Sequence, residues 1–150
     1  MDELLGWHVF TERARKAVYL ANYVASLHGE TTVTTVHLLL GVIGDDDNVA
    51  RRVLSMIGIT PERVSIDLRK SLKRPRRSGK IPSIMLSDDA VHAIELAYEE
   101  AHLLSNTYVG TEHMLLGLIR EGHGIIGKVC SKFNIQLERV RKIIRSLQYT

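Results

Sequence analysis

The sequence is poor in the residues that build cross-linked or aromatic-rich folds. Its single cysteine, Cys130, cannot form an internal disulfide, so nothing indicates an oxidising compartment. Aromatic residues make up only 5% of the chain, and the core is therefore expected to consist mainly of Leu, Ile, Val and Ala packed between helices. No stretch alternates apolar and polar residues with period two, so strands are not expected.

Long hydrophobic runs are also missing. No apolar stretch approaches the roughly 18 residues that a membrane-spanning helix needs, and contact with a membrane is not expected. The first residues include Asp2 and Glu3, where a secretory signal peptide would carry positive charge. The expected location is the cytoplasm, or the plastid stroma if the protein is eukaryotic and processed.

Positive charge is concentrated in one short segment of the chain. The net charge is +3, and without this segment the remainder is slightly acidic. Aromatic residues that could stack on bases are missing around the segment, so nucleic-acid binding is not expected. We predict a solvated connector, with docking of an acidic partner as the alternative. Its basic residues are interrupted by proline and glycine and are Lys73, Arg74, Arg76, Arg77 and Lys80.

An internal repeat is the strongest pattern in the sequence. Residues 10–72 lie over residues 86–148 at an offset of 76, and about a third of the positions are identical without gaps. We therefore predict a single domain over 1–150, with copy one at about 10–72, a basic linker at 73–85 and copy two at about 86–148. A unit of this length used twice indicates a closed pair with approximate two-fold symmetry rather than a solenoid. The best-matched block places Thr35, His37, Leu39, Leu40, Gly41 and Ile43 over Thr111, His113, Leu115, Leu116, Gly117 and Ile119.

Each copy is predicted to contain four helices, which gives an all-α domain of about eight. Apolar residues recur at helical spacing in both copies, and Ser or Thr stands where a helix N-cap is expected. Pro61 is favoured in a first helical turn. The predicted helices begin near Thr11, Thr35, Val49 and Pro61 in copy one, and near Ser87, Thr111, Ile125 and Leu137 in copy two; in copy one the fourth continues to about Leu72.

Copy two also carries a recognisable motif. Residues 108–122 read YVGTEHMLLGLIREG, which resembles the G-T-E-H-x-L-L-G-L-x-x-E-G signature of the N-terminal domain of Clp unfoldases, especially the ClpC branch. Residues 10–14, FTERA, are similar to the opening of that family. The resemblance covers essentially the whole chain and implies two tandem four-helix repeats related by a pseudo-two-fold axis.

The resemblance also implies a function. It points to a non-enzymatic recognition domain that binds adaptor proteins or tagged substrate proteins for an AAA+ Clp ring or Clp protease. The G-x-x-x-x-G-K-[ST] motif of ATP-binding modules is absent from the sequence. The alternative is therefore a stand-alone accessory or sequestering regulator of the Clp protease that lacks ATPase modules.

In the ClpC branch the resemblance further implies binding of phosphorylated arginine. A guanidinium pairs with a carboxylate, and a phosphate suits a helix start or a basic side chain. The corresponding residues are Glu112 with Thr111 from copy two, and Thr11 with Arg13 from the opposite copy. Glu112 could instead only stabilise the first turn of its helix by about 0.3–1 kcal/mol.

The second such site implied by the duplication is altered. Val36 replaces the carboxylate in copy one, and the opposite helix start, Ser87-Asp88-Asp89, carries two acids where a phosphate would need neutral or basic groups. We therefore predict one site rather than two.

No catalytic residues, metal or cofactor are predicted. His37 and His113 recur at equivalent positions and are interpreted as core or capping residues rather than metal ligands. Glu99 and His102 have the spacing of a metal-binding helix, but Tyr23 and Ser26 occupy the equivalent positions, so the second pair is missing. Cys130 is predicted to pack in the core.

Overall fold

Eight α-helices lie in residues 6–75 and 85–148, the part of the chain that the computed structural model describes. Over these residues the fold is all-α, as predicted, and none of the described helices combines the length and apolar character needed to cross a bilayer. A 3₁₀ turn, Trp7–Val9, comes before the first helix. The helices are α1 (Glu12–Leu27), α2 (Thr35–Gly44), α3 (Val49–Met56), α4 (Pro61–Arg69), α5 (Asp88–Leu103), α6 (Thr111–Glu121), α7 (Ile125–Phe133) and α8 (Leu137–Gln148).

The repeat in the sequence is also a repeat in the structure. Each helix of copy one, α1 to α4, begins 76 residues before its counterpart in copy two, α5 to α8. Thr11 and Ser87 cap α1 and α5 as predicted, each accepting a backbone N–H at 3.1 Å. One boundary differs, because α4 ends at Arg69 and the chain to Leu72 continues in tighter i→i+3 turns. Most of the predicted basic linker, residues 76–84, lies outside the described residues.

The first two helices of each copy are in very close contact. Gly41 of α2 lies against α1 so closely that a Cβ on it would be 2.1 Å from the carbonyl oxygen of Ala17. Gly117 of α6 has the same relationship to α5, with the carbonyl oxygen of Ala93 at 2.3 Å. Glycine and alanine are therefore required at these crossings, and aliphatic side chains fill the core around them.

The two copies are joined around α2 and α6, which pack on one another and on helices of both copies. Two isolated single-residue bridges link the copies, Phe10 with Val109 and Val33 with Leu86. The Thr11 N–H donates to the carbonyl of Val109 at 2.9 Å, which fixes the start of α1 beside the start of α6. The interface therefore places helix starts from different copies side by side.

Candidate functional site

A cavity of about 350 Å³ opens where the starts of α1, α3 and α6 meet. The structure brings all four predicted site residues to this cavity, although ligand binding by them stays a prediction. Its volume lies in the range of small-molecule sites in proteins. The lining consists of Thr11, Arg13, Asp47, Asn48, Val49, Arg52, Tyr108, Thr111 and Glu112.

Three hydrogen bonds, one of them between the copies, hold the walls of this cavity together. The hydroxyl oxygen of Thr111 accepts the N–H of Ala50, in the first turn of α3, at 3.3 Å. Asn48 caps α3 by accepting the N–H of Arg51 at 2.9 Å, and its side-chain amide donates to the carbonyl of Val42 at 2.7 Å. The cavity thus collects three helix starts, whose partial positive charges favour an anion.

Glu112 forms the acidic part of the cavity. Its side chain lies in the first turn of α6 and the residue is only 6% exposed. Burial raises the pKa of this carboxyl, and a hydrogen bond from its own backbone N–H opposes the rise. Within the described residues no basic side chain forms an ion pair with Glu112. A buried carboxylate of this kind favours a cation that a ligand would bring.

The glycine before the motif threonine makes room for this carboxylate. A Cβ on Gly110 would lie 2.0 Å from Oε1 of Glu112, so the side chain folds back over a position that only glycine leaves open. The glycine and the glutamate of the motif therefore belong to one local arrangement.

Two arginines lie on the opposite side of the cavity. Arg13 donates to Asp45 at 2.8 Å and lies 4.0 Å from Asp47, and Arg52 lies 3.8 Å from Asp47. Burial acts to raise the pKa of Asp45, but hydrogen bonds from Arg13 and Lys16 outweigh it and leave the pKa lowered. The ionised Asp45 holds Arg13 in place, so the side opposite Glu112 carries two arginines together with the exposed Asp47.

Sequence reasoning missed the contribution of α3. Asn48 carries the signal of a helix N-cap, but nothing local indicates that the start of α3 faces α6 of the other copy. Arg52 belongs to the cavity for the same reason. Tyr108, two residues before the first glycine of the motif, was likewise not predicted as a site residue, although an aromatic ring beside a carboxylate suits a guanidinium.

The recurrent histidines are capping residues, as predicted. Nδ1 of His37 accepts the N–H of Thr34, and Nδ1 of His113 accepts the N–H of Gly110, both at 2.9 Å. Burial lowers the pKa of both imidazoles, that of His113 to about 4.

The predicted packing of Cys130 also agrees with the structure. The residue contacts the hydrophobic core, and burial raises the pKa of its thiol to about 11. A thiol with such a pKa stays protonated near neutral pH and is a poor nucleophile.

Comparison with known proteins identifies the family. The sequence profile of the Clp repeat (R) N-terminal domain matches residues 9–146. The chain belongs to this Clp repeat family. It is 34% identical over 138 residues to the negative regulator of genetic competence ClpC/MecB of Bacillus subtilis, covering 92% of this chain and 17% of the relative. It is 38% identical over 143 residues to the ATP-dependent Clp protease ATP-binding subunit ClpA homolog of Cyanidium caldarium. This match covers 94% of this chain and 16% of the relative.

Solved structures agree with this Clp repeat fold. The N-domain of ClpV from Vibrio cholerae superimposes with a TM-score of 0.77 at 19% identity, covering 96% of this chain and 88% of that chain. At such low identity the similarity shows the shared fold only. The Clp repeat chain described here spans about a sixth of the length of the curated relatives it matches.

Proposed function

We propose that this Clp repeat domain is a non-enzymatic recognition module that binds adaptor or substrate proteins for a Clp unfoldase through the cavity between its two copies. The observation that carries the proposal is the burial of Glu112, without a basic partner among the described residues, across the cavity from the starts of α1 and α3. A ligand with a positive and a negative end fits this distribution of charge.

Phosphorylated arginine is the proposed ligand chemistry. Its guanidinium would pair with Glu112, and Tyr108 lies on the cavity wall where its ring can contact the same group. Its phosphate would lie at the starts of α1 and α3, next to Arg13 and Arg52. A helix start and an arginine are both common phosphate-binding elements.

The differences between the copies support one phosphoarginine site in the chain rather than two. Val36 stands where copy two has Glu112, and Asp89 stands where copy one has Arg13. A phosphoarginine at the second position would find no carboxylate for its guanidinium, and Asp89 in place of the arginine beside its phosphate. The proposed stoichiometry is therefore one ligand for each chain.

Titration of the ¹⁵N-labelled domain with phosphoarginine tests this proposal. We expect shifts of the Thr11, Val49 and Glu112 amides, and only weak shifts with free arginine or inorganic phosphate, each of which offers one end. Glu112→Gln should suppress the shifts, whereas Glu95→Gln, an exposed acid on α5, should leave them unchanged. Equal shifts in the wild type and in Glu112→Gln would contradict the proposal.

The cavity would serve equally in an unfoldase and in a free-standing regulator of the Clp protease. The size of the endogenous protein, detected with an antibody against this domain, separates these two settings. The relatives include bacterial and chloroplast proteins, in keeping with the cytoplasm or plastid stroma as the proposed location.

A further inference from the structure

Copy two contains a cluster of metal-ligand side chains at the position equivalent to the Arg13 ion pairs of copy one. The cluster consists of Asp89 at the start of α5, Glu121 at the end of α6 and His123 in the turn before α7. One ligand atom of each residue lies within 4.8 Å of the other two. Asp89 and His123 are exposed, so the cluster is open to ions from solvent.

Copy one shows how the fold neutralises this position. The buried Asp45 receives Arg13 at 2.8 Å and Lys16 at 3.4 Å, and Arg13 also lies 4.0 Å from Asp47. Two basic side chains from one turn of α1, together with Arg52 at 3.8 Å from Asp47, therefore balance two acids.

Copy two has exchanged all four of these residues. At the offset of 76, Asp45 corresponds to Glu121 and Asp47 to His123, so an acid and an imidazole replace two acids. The exchange leaves carboxylates and imidazoles at these four positions and no lysine or arginine. The two basic residues are also replaced, Arg13 by Asp89 and Lys16 by His92, an exposed residue one turn further along α5.

Glu121 provides independent support for a bound cation. The residue is 4% exposed, and its Oε2 is buried without a hydrogen bond among the described residues. Nδ1 of His123 lies 2.5 Å from this oxygen and forms an ion pair with it only when the ring is protonated, and the other oxygen accepts the backbone N–H of His123 at 3.3 Å. A neutral imidazole leaves the charge of this buried carboxylate uncompensated, and a cation in the cluster would compensate it.

The local backbone keeps the histidine at this position. Gly122 and Gly124, on either side of His123, have φ values of 56° and 60°, in the left-handed region that favours glycine. The resulting turn folds His123 back over the last residue of α6. The corresponding stretch of copy one, Asp46 to Asn48, contains no glycine.

We propose that Asp89, Glu121 and His123 bind a divalent transition-metal ion, best Zn²⁺, with solvent completing the coordination. Imidazole nitrogens together with carboxylate oxygens are a ligand set of Zn²⁺, whereas Mg²⁺ and Ca²⁺ prefer oxygen ligands alone. The guanidinium of a partner protein would pair with the acids alone and would leave the imidazole of His123 unused. The ion would take the place that Arg13 and Lys16 occupy in copy one, and it would tie α5 to the α6–α7 turn.

Calorimetric titration of the purified, metal-free domain with Zn²⁺ tests this site. We expect one saturable equivalent and, with Co²⁺, the visible absorption of a tetrahedral complex. Asp89→Arg restores the basic residue of copy one and should weaken binding by about 100-fold or more while the circular dichroism spectrum is retained. His123→Ala, at a side chain 74% exposed, should weaken binding without disturbing the core.

His102→Ala, which removes an exposed histidine outside the cluster, is the matched control and should bind Zn²⁺ like the wild type. Equal affinity in the wild type, Asp89→Arg and His123→Ala would mean an adventitious ion only and would overturn the proposal. A preference for Mg²⁺, or binding of free arginine in place of Zn²⁺, would overturn it as well.

Discussion

The hydroxyl of Thr111 in copy two accepts the backbone N–H of Ala50 in copy one at 3.3 Å. This hydrogen bond joins the first turns of α6 and α3 across the interface between the copies, and both helices line the proposed ligand cavity. Recognition and the docking of the two copies therefore depend on the same contact. Changes at this contact should alter stability and ligand affinity together.

Thr111→Val tests the coupling. The isosteric replacement leaves the buried Ala50 N–H without its acceptor, so we expect a loss of about 1–3 kcal/mol in the free energy of unfolding. Urea denaturation measures the loss. Thr35→Val, at the equivalent position of copy one, is the matched control, because Thr35 makes no comparable bond to Ile126 within the described residues. Equal losses in the two variants would argue against a special role for Thr111.

Glu100 should be the most sensitive charged residue of the described fold. Its side chain is fully buried on α5 and pairs with Arg141 at 2.6 and 2.7 Å and with Arg120 at 3.1 Å. Burial acts to raise its pKa, but the hydrogen bonds from Arg141 outweigh burial and leave the pKa lowered. Glu100→Ala removes the buried carboxylate and leaves Arg141 and Arg120 only their exposed partners, Glu138 and Glu99, so we expect a loss of about 3–5 kcal/mol in urea denaturation.

Glu138 supplies the control for Glu100. It also pairs with Arg141, but on the surface, where an ion pair contributes about 0–1 kcal/mol. We expect Glu138→Ala to change the unfolding midpoint only slightly. A comparable loss in both variants would contradict the assignment of Glu100 as a buried structural charge.

The close helix crossings predict an effect of a single methyl group. Gly117→Ala brings a Cβ to 2.3 Å from the Ala93 carbonyl oxygen, which is backbone and cannot turn away. The helices must separate, so we expect a loss of about 2 kcal/mol or more and a lower thermal midpoint. Gly44→Ala is the control, since its nearest neighbour is Leu20 Cδ1 at 3.8 Å, an ordinary contact. Gly44→Ala should be neutral or slightly stabilising.

The buried His113 predicts a loss of stability in mild acid. The unfolded chain binds a proton at this residue near pH 6.5, whereas the folded chain does so only near its lowered pKa of about 4. Stability from this residue is therefore present above about pH 6.5 and is lost as the pH falls toward 4. Between pH 7 and 5 the expected loss is about 2 kcal/mol.

His113→Asn isolates this contribution. The Asn oxygen can still accept the Gly110 N–H, while the titrating ring is removed. Urea denaturation at pH 7 and pH 5 should show a smaller acid loss in the variant than in the wild type. His102→Asn, at an exposed histidine, should keep the wild-type pH dependence; an unchanged dependence in His113→Asn would contradict the argument.

Much of the fold could be predicted because its signals are local. The offset of 76 residues, the caps at Thr11 and Ser87 and the apolar spacing on each helix depend on neighbouring residues alone. His113 could be identified as a capping residue because it lies three positions after Gly110. The single-residue bridges between the copies escaped prediction, since one extended pair produces no period-two pattern.

The rest depends on how the copies dock. Arg52 enters the cavity only because α3 faces the other copy, and no pattern within α3 indicates this. Asp89 and Glu121 are far apart in the sequence and meet only in the folded chain. The sequence did contain a signal for this cluster. Alignment of the copies shows that Asp89 replaces Arg13, which reverses the charge at one structural position. Its meaning required the ion pair of Arg13 with Asp45, which only the structure provides.

Calorimetry with free phosphoarginine tests most directly whether the junction of the two copies is the recognition site. We predict one equivalent bound to each chain, with an affinity about 10- to 100-fold lower in Glu112→Gln because a charge-assisted pair is lost. Two equivalents, no binding, or the same affinity in Glu112→Gln would contradict this prediction.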